Sequence, residues 1–115
     1  MSGVRALARS RSAGSVVRRV EAHIREEGGP PWAWYVGVAA RPGPRLFAVH
    51  GVVEDQDWWI WEDAESALMA RAVGRYFHEL GCQGELTWDE AATCVYAFRT
   101  AVHTSPGRLA CVTRG

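Results

Sequence analysis

The sequence predicts a small α+β domain from three observations. Two segments repeat apolar residues at three-to-four spacing, three short segments are dense in Val, Tyr, Phe and Trp, and the two kinds alternate along the chain. The expected order is α-β-(short α)-β-α-β, a three-stranded sheet flanked by two helices.

The elements follow in order. Residues 1–14 are rich in Arg, Ser, Gly and Ala with little periodicity and read as a flexible basic arm. Ser15 is a candidate N-cap for a helix to about Glu27, whose apolar face is Val16, Val17, Val20 and Ile24. Gly28-Gly29-Pro30-Pro31 stops it. Residues 32–39 are expected to form a strand, because Trp, Tyr and Val suit a half-buried pleated surface. Arg41-Pro42-Gly43-Pro44 is expected to be a turn, and a short helix from Arg45 to Val49 carries His50 near its end. Asp57 to Trp61 reads as the second strand. Asp63 is the expected N-cap of a helix over 64–80, with Ala67, Leu68, Ala72, Val73, Tyr76, Phe77 and Leu80 as its stripe and Gly81 at its C-cap. Thr93 to Thr100 is the third strand, read from Val95, Tyr96 and Phe98. Residues 15–104 thus form one domain, with 105–115 as a tail.

Composition narrows the classes. A hydrophobic content of 48% with six tryptophans excludes a disordered chain, and no apolar run approaches the ~20 residues of a membrane span. No apolar h-region marks a secretory signal, and Cys82, Cys94 and Cys111 lack CxxC spacing, so free thiols in a reducing cytoplasm are expected. The 13 basic residues, all arginine, balance 13 acidic ones. The balance hides an uneven distribution. Arg5, Arg9, Arg11, Arg18 and Arg19 precede the first acid, whereas only Glu54, Asp55, Asp57, Glu62, Asp63 and Glu65 are charged between Arg45 and Arg71. The basic arm suits contact with nucleic acid or an acidic protein, and equally a solvated terminus.

The segment richest in chemistry is Trp34-Tyr35-Val36-Gly37, followed by Arg45 and His50. A strand ending in Tyr-Val-Gly, an arginine ten residues after the tyrosine and a histidine beyond it resemble the second half of the GIY-YIG nuclease motif. The resemblance implies a small α+β nuclease fold in which tyrosines on neighbouring strands help activate water. It implies that Arg45 contacts the scissile phosphate and that His50 assists proton transfer. A helical glutamate would hold a divalent metal such as Mg²⁺. A guanidinium suits the extra negative charge of a phosphodiester transition state, and a tuned phenol or imidazole can move a proton.

Two departures shape what is expected. The family's first strand lies just before the second, where this chain has a helix and Gly-Gly-Pro-Pro; Val95-Tyr96-Ala97-Phe98 has that strand's character, so Tyr96 is the partner tyrosine in a rearranged topology. At the position of the metal-binding glutamate this chain has Gly74, with Glu65 and Glu79 as possible substitutes.

Trp58-Trp59-Ile60-Trp61 is a candidate binding run, together with Arg41. On a strand, Trp59 and Trp61 share one face and Trp58 and Ile60 the other, so one pair is expected to pack in the core. The spacings of His50, His78, His103 and the cysteines follow no zinc pattern. The expected function is therefore a degenerate GIY-YIG-like module that binds protein or nucleic acid, of the kind encoded as inhibitors by phages or mobile elements. The alternative is an active metal-dependent endonuclease. The expected partner is nucleic acid or a nucleic-acid-processing complex.

Overall fold

The computed structural model describes residues 3–5 and 13–105. Arg9 and Arg11 of the expected arm, and the tail from residue 106 with Cys111, lie outside the described residues. The elements are β1 (Gly3–Arg5), α1 (Ala13–Glu27), β2 (Trp34–Ala39), the short α2 (Pro42–Pro44), β3 (Trp59–Asp63), α3 (Ala67–Glu79) and β4 (Cys94–Arg99). The chain has the expected α+β architecture.

Strand order is β1-β3-β4-β2. The three expected strands form an antiparallel core with β4 in the middle, pairing Tyr35 with Phe98 and Gly37 with Tyr96 on one side and Trp61 with Tyr96 on the other. Gly3–Arg5 adds a short fourth strand, parallel to β3, inside the stretch expected to be an unstructured arm.

Alternation along the strands sorts their side chains onto two faces. Trp34, Val36, Val38, Ile60, Val95 and Ala97 share a buried cluster with Val16 and Val20 of α1 and Val73 and Phe77 of α3. Removing this apolar surface from water is the main drive for the helices to dock. Trp34 is fully buried because its indole N–H reaches the Gly28 carbonyl, 3.0 Å away. Glu62 also points to this face; it is 1% exposed and meets Arg19 of α1 at 2.8 Å. Tyr35, Ala39, Trp59, Tyr96 and Phe98 occupy the opposite face, covered by Leu46, Phe47 and Val52.

Local boundaries differ from expectation for physical reasons. β3 runs from Trp59 to Asp63 rather than from Asp57 to Trp61. Asp57 is held in a preceding turn, where its carboxylate accepts the Val53 N–H at 2.7 Å. Asp63 does not cap α3; it closes the strand by accepting the Glu65 N–H at 2.8 Å. Ser66 is the N-cap, its hydroxyl accepting the Met69 N–H at 3.0 Å. Pro42-Gly43-Pro44 is the first turn of a helical segment rather than a turn that excludes helix. The first N–H groups of a helix have no intrahelical acceptor, so prolines there forfeit nothing. The segment continues into a π-helical turn, Arg45–Val49, closed by the His50 N–H on the Arg45 carbonyl at 2.9 Å. This wide turn sets Arg45 and His50 on the same side. Among the described residues, no helix is long and apolar enough to cross a membrane.

Candidate functional site

Gly37 and Tyr96 oppose each other across the β2–β4 ladder, and the missing side chain at Gly37 lets the Tyr96 ring lie over β2. A Cβ on Gly37 would meet the Tyr96 hydroxyl at 2.6 Å, so only glycine leaves that space. Tyr35 stacks on Phe98 with ring centroids 5.1 Å apart and lies 6.3 Å from Tyr96. The two tyrosines are diagonal neighbours on one face, because β2 and β4 pair directly.

His50 inserts among these rings, 4.7 Å from Tyr35 and 4.9 Å from Phe98, and is fully buried. Its two nitrogens lie 2.8 Å from the Ser105 carbonyl oxygen (Nδ1) and 2.7 Å from the Tyr96 hydroxyl (Nε2). A carbonyl only accepts, so Nδ1 carries the proton and donates to Ser105. In the neutral ring Nε2 then accepts from the Tyr96 O–H. Arg45 completes the chain by hydrogen-bonding the Tyr96 oxygen, which also contacts Tyr35.

The electrostatics keep both members of the central pair neutral. Burial is the largest influence on His50 and lowers its pKa below 6.5; the Arg45 charge also lowers it, while the Ser105 carbonyl and Glu85 oppose. Burial likewise raises Tyr96 above 10.0, against hydrogen bonding and charge from Arg45. The ordinary values, 10.0 and 6.5, are already about 3.5 apart, and both shifts widen the gap. Burial thus opposes moving the phenol proton to His50, since it disfavours the charged form of both groups. The histidine orients the hydroxyl; it is a poor acceptor for its proton.

Arg45 and Tyr96 open onto a cleft of about 270 Å³ at the β2 edge, lined also by Val38, Glu85, Leu86, Thr87 and Asp89. A guanidinium has five N–H donors, so Arg45 can hold Tyr96 and still present donors to the cleft. Position 74 contributes no carboxylate: Gly74 is buried, and a Cβ there would meet Leu86 at 2.7 Å. Glu65 and Glu79 are exposed and do not line this cleft. The nearest carboxylates come instead from the 81–92 connection. Glu85, close enough to influence both His50 and Tyr96, had no sequence signal because an aperiodic loop gives no hint of where its side chains point. Among the described residues, no three His, Cys, Asp or Glu side chains gather as a metal cluster.

The other candidates lie apart from this cleft or are consumed by packing. Trp59 is buried, edge-on to Phe47 at 5.1 Å, with its indole N–H on the Glu54 carbonyl at 2.9 Å. Trp61 packs half-buried in the same cluster, so the tryptophan run is no continuous stacking platform. Trp58 and Arg41 are exposed. His103 pairs with Asp57 at 2.6 Å, and His78 donates to the Val36 carbonyl at 2.7 Å. Cys82 and Cys94 are buried free thiols, the former pushed up to about 11 by burial. No protein-family model, curated protein or solved structure matches this chain.

Proposed function

We propose that this chain is a rearranged, degenerate GIY-YIG-like module that binds nucleic acid, with a phosphodiester group seated at Arg45. The observation that carries the reading is the convergence of Tyr35, Arg45, His50 and Tyr96 on one face of the sheet, with Arg45 and Tyr96 opening onto the cleft. Binding is favoured over cleavage because the Tyr96 proton is held toward a histidine that is a poor base. Glu85 and Asp89 share the cleft, so a bare phosphate meets like charge as well as Arg45. Binding is therefore expected to be weak, salt-sensitive and improved by divalent cations. We place the module in the cytoplasm, on its buried free thiols, acting by occupying a nucleic acid or a nucleic-acid-processing complex as small phage or mobile-element inhibitors do.

One observation favours a second reading, a metal-dependent endonuclease. Glu85 brings a carboxylate from a loop to the cleft of Arg45 and Tyr96, where the resemblance places it on a helix. Fluorescence anisotropy and gel assays of labelled single- and double-stranded substrates, with Mg²⁺, Mn²⁺ or EDTA, separate the two. Binding without cutting, weakened by Arg45→Ala, is expected. Metal-dependent cutting abolished by that substitution would establish the enzyme instead, and binding indifferent to it would sink the proposal.

A further inference from the structure

We infer that Trp88 is a stacking platform for an unpaired base, so that the nucleic acid engaged at the cleft is single-stranded. This rests on the preceding assignment of a phosphodiester to Arg45. Trp88 is 76% exposed, whereas Trp34 and Trp59 are buried. An indole left in water on a domain with a well-filled core has no packing explanation. Its place in the fold gives one, because the residues on either side of it, Thr87 and Asp89, both line the Arg45 cleft.

The loop holds the indole in position. The Thr87 hydroxyl accepts the Asp89 N–H at 3.2 Å, and the Asp89 carboxylate accepts the Ala91 N–H at 2.9 Å, forming tight turns around Trp88. Arg71 of α3 sets its guanidinium 4.9 Å from the ring centroid, a cation–π contact that backs one face of the indole. One nitrogen of that guanidinium, Nη1, is sealed from solvent without a hydrogen-bond partner. The indole is therefore held against a cation, and its exposure leaves surface for a second ring. Trp32 is also exposed, but it precedes β2, whereas the cleft lies at Val38. Four residues of strand, about 13 Å, separate Trp34 from Val38.

The occupant follows from the same chemistry. Bases in a duplex are covered by their neighbours, and only an unpaired base offers its face to an indole. The carboxylates of Glu85 and Asp89 disfavour a continuous track of phosphates, so stacking must supply affinity that charge does not. A nucleotide with its phosphate at Arg45 and its base on Trp88 meets both conditions.

The test is fluorescence anisotropy of the full chain with a fluorescein-labelled oligothymidylate and with a labelled hairpin duplex, in Mg²⁺ and in EDTA. Circular dichroism would confirm that each variant folds. Trp88→Ala is expected to weaken single-strand binding about tenfold, Trp88→Phe to stay within about threefold of the native protein, and duplex binding to be unchanged by either. Arg45→Ala should weaken both ligands. Single-strand binding unchanged in Trp88→Ala, or an equal loss on both ligands, overturns the stacking inference while the Arg45 reading survives. Loss on Trp88→Ala with none on Arg45→Ala keeps the platform and overturns the phosphate assignment. A native protein that binds neither ligand overturns both.

Discussion

The two faces of the sheet are built from the same three strands and meet different chemistry. Toward α1 and α3 the strands present aliphatic side chains and Trp34, with the buried Glu62 carboxylate among them held by the partly exposed Arg19. Toward the 42–52 segment they present rings, and a line of hydrogen bonds runs from the Ser105 carbonyl through His50 and Tyr96 to Arg45. The first face supplies burial. The second spends buried polar groups on fixing one hydroxyl and one guanidinium at a cleft. Polar groups that satisfy each other in a buried place specify a geometry more sharply than aliphatic contacts do. The difference suggests that the helix face carries stability and the ring face carries recognition.

The largest test of that division is Phe77→Ala. Phe77 is 1% exposed in the helix-face cluster, and its truncation should cost about 3–5 kcal/mol in denaturant unfolding. Nucleic-acid binding per folded molecule should persist; loss of binding in a folded sample would show that the faces are not separable. Arg19→Ala comes next, at about 3 kcal/mol, because it strips a partner from a carboxylate that is 1% exposed. Adding Glu62→Gln should recover much of the loss, and failure to recover would mean that packing rather than charge makes the contact matter.

On the ring face, Gly37→Ala should cost about 1–3 kcal/mol by forcing a methyl group into the Tyr96 hydroxyl. Its effect on binding should exceed that of Phe77→Ala despite the smaller loss of stability. The reverse order would break the comparison.

The smallest effect is pH-dependent and draws on one histidine from each face. Burial is the largest cause lowering the pKa of both His23 and His50 from 6.5. The unfolded chain then takes up protons before the folded one, so stability is complete above pH 6.5 and falls as pH drops from there toward the folded values. Each histidine contributes at most about 1.4 kcal/mol per pH unit. His23→Gln should remove only the helix-face share between pH 6.5 and 5, a range starting at the ordinary histidine value. If it removes the whole slope, His50 is not held neutral.

Much of this arrangement was legible beforehand. Valines at three-to-four spacing announced α1, and the stripe containing Val73 and Phe77 announced α3, because helical periodicity is a property of the chain itself. Tyr35, Arg45, His50 and Tyr96 were legible as candidates from residue type, order and the character of two strands. The site's carboxylate was not. The helical place expected for it is Gly74, filled by Leu86, while Glu85 reaches the cleft from a segment with no period to read. Trp58-Trp59-Ile60-Trp61 stood out by composition, yet the most exposed indole is that of Trp88, whose chain neighbours Thr87 and Asp89 line the cleft.

By itself, then, the sequence determined the α+β class, three strands, two long helices and the face each strand residue shares with its neighbours, since these follow from local periods of two and 3.6 residues. Only the tertiary structure decided that β4 lies between β2 and β3, that Gly3–Arg5 joins the sheet, that His50 is buried against Tyr96, and that Glu85 shares a cleft with Arg45. Those facts depend on contacts between residues tens of positions apart, chosen by which combination buries the most apolar surface while leaving the fewest polar groups unpaired, and no local pattern encodes that choice.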